Sequence, residues 1–379
     1  MAQLSADCFA FGGPLLSVED AMTLLPTRLS VVEGCESVCL TEADGRVLAQ
    51  DLAASLPLPP FTNSAVDGYA LRGEDLPASK EKTFSVIDFV QAGEMADVAA
   101  ASGKAIRIFT GAPMPAGADT VFMQEDVQVA ADGTVVLPPG LKRGSNVRPT
   151  GEDIAQGQIV LKAGHRLRPQ DVALAAALGQ TSLEVRRRIR VAVFSTGNEI
   201  VSPGAARGPV QLFDSNRFML LAMLRRLGCD VDDLGILRDD QAATAAMLKR
   251  AAANHDLILT SGGVSTGEAD YVKAAVESVG TLVFWRMAIK PGRPVAMGVI
   301  DGTPFIGLPG NPVASYVTFA YVARTAILAL SGTAMELPEP VQARAAFSYK
   351  KKSGRREYVR AHLRKAGDGS AEGSVSASF

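Results

Sequence analysis

The sequence predicts a multidomain α/β protein whose second half is a doubly wound α/β domain. Two observations carry this. From residue 190 to residue 330, short apolar runs alternate with helical segments of about 10–15 residues, the pattern of βαβ units and a parallel sheet. Before that, residues 61–149 break into short β-like runs punctuated by Gly and Pro, the pattern of a separate β-rich domain. The 379-residue length fits about two or three domains.

The elements follow in order. Residues 17–46 read as helical, starting at Ser17 and Asp20 as a capping-box-like pair with Ala21, Leu24 and Leu25 on one face. Leu56-Pro-Leu-Pro-Pro60 is an extended connector. Strands are expected at 84–90, 105–109, 119–123 and 135–137, then a helix at 169–178 ended by Gly179. In the second half a strand at 191–194 leads to a helix at 214–227, with Ser215 as cap and Gly228 as stop. Strand 231–237, helix 241–253, strand 257–259, helix 270–279 and strand 282–285 continue the alternation. A hairpin-like pair at 295–300 and 305–308 precedes a long helix from Pro312, and the tail from Pro338 is basic and strand-like.

Composition excludes several classes of function. The chain is 47% hydrophobic and 21% charged, with formal net charge −2 and 6% aromatics. It lacks the basic footprint and the stacking residues of a nucleic-acid binder. Cys8, Cys35, Cys39 and Cys229 form no CxxC pair and read as reduced thiols of a cytoplasmic protein. Three scattered histidines do not make a zinc site, so a metal here would be a hard cation on carboxylate and phosphate oxygens. The N-terminus has no signal-peptide pattern. The most apolar segment, 313–330, carries Arg324 and several hydroxyls, so a buried helix is expected rather than a membrane span.

Ligands of doubly wound sheets sit outside the carboxyl ends of the strands. Three such ends carry unusual residues: Ser195-Thr-Gly-Asn-Glu199, Thr260-Ser-Gly-Gly263 and Leu308-Pro-Gly-Asn-Pro312. Glycine turns at strand ends let backbone N–H groups approach an anion, although each is also an ordinary βα corner. Asn311 before Pro312 makes an efficient helix start with or without a ligand. Glu199 points toward function, since a tight turn has no need of it. In Met287-Ala-Ile-Lys-Pro-Gly-Arg-Pro294, Lys290 and Arg293 flank a Pro-Gly turn and offer cations to an oxyanion, or stand as solvated charges on a hairpin. The acids of this half are Asp214, Asp239, Asp240, Glu268 and Asp270; Asp214, Asp240 and Asp270 also suit helix caps, which leaves Asp239 without a structural excuse. In the first half, loops 60–70, 110–115 and 144–153 share a density of Asp, Thr, Arg and Gly that suggests one site or plain turn chemistry.

Taken together, these segments resemble the MoeA family, the molybdopterin molybdenumtransferases. The motifs are Asn63-Ser-Ala-Val-Asp-Gly-Tyr69, Thr110-Gly-Ala-Pro-Met-Pro115, Gly151-Glu-Asp153, Ser195-Thr-Gly-Asn-Glu199, Ser261-Gly-Gly-Val-Ser265, Gly267-Glu-Ala-Asp-Tyr271, Lys290-Pro-Gly-Arg-Pro294 and Leu308-Pro-Gly-Asn-Pro312, in family order across residues 15–365. The resemblance implies four parts: an elongated linker domain (1–55 and 148–180), a β-rich domain (56–147), a MogA-like molybdopterin-binding α/β domain (181–332) and a small C-terminal β domain (333–379), expected to be incomplete. It implies insertion of molybdenum from molybdate into adenylated molybdopterin with release of AMP, in a cytoplasmic Mg²⁺-dependent homodimer. Contact with a MogA-like adenylyltransferase and with acceptor molybdoenzymes is part of the same expectation. Asp67, Thr110, Glu199, Arg286 and Lys290 are carried over as catalytic. Ser195, Thr196, Gly197, Ser261, Gly262, Gly263, Arg293, Pro309, Gly310, Asn311, Pro312 and Arg360 are expected at the substrate, and Asp239 and Asp270 at the metal. A non-catalytic scaffold of the same fold and a molybdopterin adenylyltransferase are the alternatives. Clustered acids at strand ends favour the enzyme, and the long N-terminal half disfavours the adenylyltransferase.

Overall fold

The computed structural model describes residues 4–5, 8–9, 15–238, 240–263, 271–333, 341–365 and 371–375. They form two compact units, one of Met1–Gln50, Ala163–Val172 and Ser182–Phe379, the other of Asp51–Lys162 and Ala173–Thr181.

The second unit is built on a six-stranded sheet: β1 (Gly68–Leu71), β2 (Lys82–Val90), β3 (Lys104–Ile108), β4 (Thr120–Met123), β5 (Gln128–Val129) and β6 (Val135–Leu137), in the order β4-β1-β3-β2-β6-β5. Side chains alternate between faces, and both faces are covered. Tyr69, Leu71, Ala105 and Phe122 pack on one side; Ala70, Ile106, Ile108 and Val121 pack on the other. Gly68 has to be glycine here, because a Cβ would lie 1.8 Å from the Phe122 carbonyl oxygen.

The first unit is a three-layer α/β structure. Its sheet contains β7 (Arg190–Thr196), β8 (Asp230–Leu237), β9 (Leu257–Ser261), β10 (Gly280–Arg286), β11 (Pro294–Ile300) and β12 (Thr303–Leu308), ordered β8-β7-β9-β12-β11-β10. Val191, Val193, Leu257 and Ile306 face one helical layer, while Ala192, Phe194, Ile258 and Phe305 face the other. That double burial explains why these strands read as continuous apolar runs.

The sheet is not wholly parallel. β7, β8, β9 and β12 pair in parallel, but β11 runs against both neighbours. The reason is local: Asp301 and Gly302 take φ of 48° and 83°, a two-residue turn that joins antiparallel strands only. β10 again runs with β12, so its carboxyl end, Arg286, lies on the same edge as Thr196, Ser261 and Leu308.

The expected helix over residues 17–46 stops early. Ser17 caps α1 (Val18–Arg28) by accepting from the Asp20 N–H at 3.0 Å. After Leu29 the β-branched Val31 and Val32 and the positive-φ Gly34 end the helix, and Cys35–Cys39 pairs antiparallel with Ser182–Arg186. A second correction concerns α2 (Asn216–Arg226). Ser215 makes no side-chain cap; the carboxylate of Asp214 accepts the Arg217 N–H at 3.2 Å instead. The apolar segment is a helix, Pro312–Ser331, long and apolar enough by composition to cross a membrane, but 72% of its apolar window is buried inside the unit. Its hydropathy is that of a core helix.

Candidate functional site

The loops at the carboxyl edge of the α/β sheet meet. Gly262 and Gly263 follow β9 with φ of 88° and 64°. A Cβ on Gly263 would sit 2.5 Å from Thr196 Cγ2 and 2.7 Å from Val272 Cγ2, so glycine alone lets the loops after β7 and β9 close on each other. A Cβ on Gly310 would meet Gly262 Cα at 3.7 Å, which brings the loop after β12 against the same turn. Asn216, at the start of α2, ties two of them together. Its Nδ2 donates to Ser261 Oγ and to the Gly310 carbonyl, each at 2.7 Å, while its Oδ1 is buried without a hydrogen-bond partner among the described residues. Asn216 is not singled out by the sequence; its place two residues after the capping Asp214 is the available signal.

The cationic loop joins this edge as well. Gly292, at φ 102°, packs where a Cβ would lie 2.8 Å from Thr318 Cγ2 and 3.2 Å from the Ala314 carbonyl oxygen. The loop carrying Lys290 and Arg293 therefore rests on the first turns of the helix that starts at Pro312. Arg286, Lys290 and Arg293 are all exposed. Lys290 Nζ lies 3.7 Å from Glu357 Oε2, across a parallel pairing of Ile289–Lys290 with Arg356–Glu357. Hydrogen bonds from Tyr349 and Arg355, with the first the larger cause, hold the Glu357 carboxyl down at about 2. Glu357 was not singled out from sequence. The partner of Lys290 is thus a carboxylate that stays ionised at any ordinary pH.

Several expected ligand groups are already engaged. Ser195 is buried, and its hydroxyl donates to Asp214 Oδ1 at 3.1 Å. Asp214 is also paired with Arg217 Nε at 2.8 Å, and Arg217 reaches Asp233. The Asn311 side chain accepts from the N–H groups of Val313 and Ala314 at 3.0 and 3.1 Å, so it satisfies two donors of its own helix start. Asp240 caps Gln241–Asn254 through the Ala243 N–H at 2.9 Å. Glu199 is different: it is exposed, and its carboxylate folds back over Gly197, where a Cβ would lie 2.4 Å from Oε2. Thr196 is buried, Pro309 half-buried, and Gly310, Pro312 and Arg360 exposed. Asp239, Glu268 and Asp270 lie outside the described residues.

The β-rich unit gathers its three loops into a second cluster. Asn63–Ser64 pairs with Val147–Arg148, Gly111 N–H donates to the Ser64 carbonyl at 2.8 Å, and Met114 N–H to that of Thr62 at 3.0 Å. Within it, Asp67 Oδ1 accepts both the backbone N–H and the hydroxyl of Thr110, each at 2.8 Å. These bonds, the backbone one first, lower the Asp67 carboxyl below its ordinary value. Arg107 stands beside it, 4.9 and 5.0 Å from the rings of Tyr69 and Phe109. Arg148 clamps Glu152 at 2.9 Å and also binds Asp153, so the acids of the Gly151-Glu-Asp motif are used locally. Among the described residues, no group of three His, Cys, Asp or Glu side chains is arranged to hold a metal ion.

Known proteins share both halves. Residues 16–179 match the MoeA N-terminal region (domain I and II), and residues 192–329 match a probable molybdopterin binding domain. A molybdopterin molybdenumtransferase of Haemophilus influenzae is 39% identical over 347 residues, covering 91% of this chain and 85% of that protein. Molybdopterin molybdenumtransferase 2 of Mycobacterium tuberculosis is 39% identical over 313 residues, covering 80% and 76%. The crystal structure of a molybdopterin biosynthesis MoeA protein from Pyrococcus horikoshii superposes with TM-score 0.78 at 30% identity, covering 95% of this chain and 89% of that one. With identity of this order over most of the length of its relatives, the chain belongs to the MoeA family of molybdopterin molybdenumtransferases, proteins of molybdenum cofactor biosynthesis.

Proposed function

We propose that this protein transfers molybdenum from molybdate to adenylated molybdopterin and releases AMP. The observation that carries the reading is the meeting of the three strand-end loops with the Lys290–Arg293 loop at one edge of the sheet, in a chain of this family. Water attacks the phosphoanhydride and breaks its P–O–P bond, leaving AMP and the pterin phosphate, while the two dithiolene sulfurs displace an oxygen of molybdate, which departs as water with the thiol protons, so molybdenum keeps its oxidation state. In this reading Lys290, Arg286 and Arg293 provide the positive field for anionic substrates, which a net charge of −2 does not supply overall. The glycine turns at Gly197, Gly262, Gly263 and Gly310 leave backbone close to the ligand, and Glu199 is the accessible carboxylate beside them. Asp67, held ionised by Thr110, is assigned to the same reaction.

Mg²⁺ on Asp239 and Asp270 belongs to this proposal and rests on the sequence pattern, since both residues lie outside the described ones. The described residues alone do not make a metal cage, and no step here runs through the ion. The proposal also takes the protein to act as a homodimer in the cytoplasm, in four parts as the sequence divides them, receiving substrate from a MogA-like adenylyltransferase and passing product to molybdoenzymes. The free cysteines among the described residues support the compartment. Incubation of purified protein with adenylated molybdopterin, Mg²⁺ and molybdate should release AMP, with release depending on molybdate. Absence of AMP, with substrate recovered unchanged, would overturn the reading in favour of a scaffold. Sedimentation as a stable monomer that is fully active would remove the dimer.

A further inference from the structure

At the opposite edge of the same sheet, the residues leading into β7 and β8 frame a cavity. Arg186, Arg187 and Arg188 run into β7, Gly228 and Cys229 lead into β8, and Arg46 and Arg166 close the sides from within the same unit. The cavity is small, about 30 Å³, and open to solvent; it is lined by five guanidinium groups, with no carboxylate among its described lining residues.

Part of that charge is not cancelled, although the Asp230 carboxylate next to Cys229 also acts on Arg187. Arg46 is paired with Glu36, and Arg187 is held by Asp256 through two bonds of 2.7 Å. Arg166 and Arg188 bond instead to backbone carbonyls: Gly45 at 3.2 Å, Arg226 at 3.0 Å and Gly228 at 3.0 Å. Carbonyl dipoles satisfy donors but leave a full charge in place. Arg186 Nε is buried and has no hydrogen-bond partner among the described residues. It lies beside Gly332, where a Cβ would come within 2.8 Å of it. Gly228, at φ 82°, keeps the mouth clear: a Cβ there would be 3.4 Å from Arg188 Nη1 and 4.0 Å from Arg166 Nη2. The hydroxyls of Ser331 and Thr333, 2.8 Å apart, add polar groups at the wall. Cys229 brings no negative charge, because burial pushes its thiol up to about 12.

We propose that this cavity is a binding site for a small tetrahedral oxyanion with two negative charges, of the phosphate, sulfate or molybdate type. Guanidinium forks match such oxygens in pairs, and clustered like charges repel in partly buried surroundings, so a dianion relieves both. The site lies at the amino ends of the strands, away from the edge assigned to the reaction, and it stands whether or not that assignment holds.

The test is thermal unfolding of the whole protein at constant ionic strength in chloride, with inorganic phosphate, sulfate or molybdate titrated in separately. Wild type should show a saturable rise in Tm with at least one of them. Arg186→Gln should require about tenfold more anion for the same rise, which corresponds to the loss of about 1.4 kcal/mol of binding. Without added anion Arg186→Gln should melt no lower than wild type, because the buried Arg186 Nε has no hydrogen-bond partner to lose among the described residues. A rise with molybdate alone makes the site a reserve of the substrate metal oxyanion, and equal rises make it a general oxyanion site. An equal response in wild type and Arg186→Gln, or none in wild type, overturns the proposal. So does an Arg186→Gln protein that melts lower in chloride alone, since Arg186 would then be serving the fold.

Discussion

In the β-rich unit Asp67 is fixed by two donors from one residue, Thr110, whereas among the described residues at the rim of the α/β sheet the carboxylates of Asp214 and Glu199 are respectively spent on structure and left exposed. Asp214 serves Ser195, Arg217 and a helix start at once, while Glu199 folds over Gly197 at the surface. The contrast shows two ways of preparing a site. The Asp67 corner sets a charge in advance through turn chemistry, while the rim sets shape in advance through glycine backbone and leaves its cations on a loop. Substitutions at the rim glycines should therefore act through geometry, and those at the rim cations and at the corner through charge.

The largest effect is expected at Gly263. Alanine there must hold φ 64°, which costs about 1–2 kcal/mol, and its Cβ collides with Thr196 and Val272, for about 1–3 kcal/mol more. Gly263→Ala should lower Tm by roughly 5–15 °C and reduce AMP release by more than about a factor of 30. An unchanged Tm with full activity would mean that the loops do not meet as described.

Lys290→Ala comes next. It removes a cation whose charge-assisted bond to an anionic ligand is worth about 1.5–3 kcal/mol, so molybdate or pterin binding should weaken tenfold or more by calorimetry. The fold should survive, since the ion pair with Glu357 spans 3.7 Å at an exposed lysine and Glu357 keeps Tyr349 and Arg355. Wild-type affinity would remove Lys290 from the site. Asn216→Ala should act more mildly. It loses the bonds to Ser261 and Gly310 together with a buried unpartnered oxygen, and the net loss is about 1 kcal/mol, seen as a Tm lower by a few degrees and AMP release reduced several-fold.

The smallest expected effect is at the corner and depends on pH. Because the Asp67 pKa is lowered in the folded protein, its contribution to stability is present above the unfolded value and is lost as pH falls through the folded one. Thr110→Ala removes the hydroxyl but keeps the backbone N–H, the larger cause, so the carboxyl should titrate at higher pH than in wild type but still below an ordinary aspartate. A carboxyl-carbon NMR titration reads this directly. A full return to the ordinary value would show that the hydroxyl, not the backbone, sets the charge.

Much of this was legible in the chain. Apolar runs sandwiched between two helical layers announce themselves in sequence, so the strands of the α/β sheet came out within a few residues. The cap on Asp240 and the Asn311-Pro312 helix start were likewise local facts. The β11–β12 hairpin was legible too, because the Asp301-Gly302 turn between two apolar runs permits only antiparallel pairing. The false helix over residues 29–46 arose because apolar spacing alone does not weigh Val31, Val32 and Gly34, nor the distant partner strand Ser182–Arg186. The site motifs were visible as glycine turns and stray charges, but Asn216, Arg107 and Glu357 were not. Each acts through a neighbour far along the chain: Asn216 on Gly310, Arg107 on Tyr69 and Glu357 on Lys290.

We propose that the Asp67 corner and the rim serve one reaction. The most direct test is AMP release from adenylated molybdopterin, with Mg²⁺ and molybdate, measured side by side for wild type, Asp67→Ala and Glu199→Gln. Glu199 is exposed, so Glu199→Gln should keep the wild-type Tm, while Asp67→Ala should lose only the stabilisation from its two bonds to Thr110 and remain folded. Wild type should show molybdate-dependent release, and each variant a loss of tenfold or more. Full release by a folded Asp67→Ala protein would contradict the proposal.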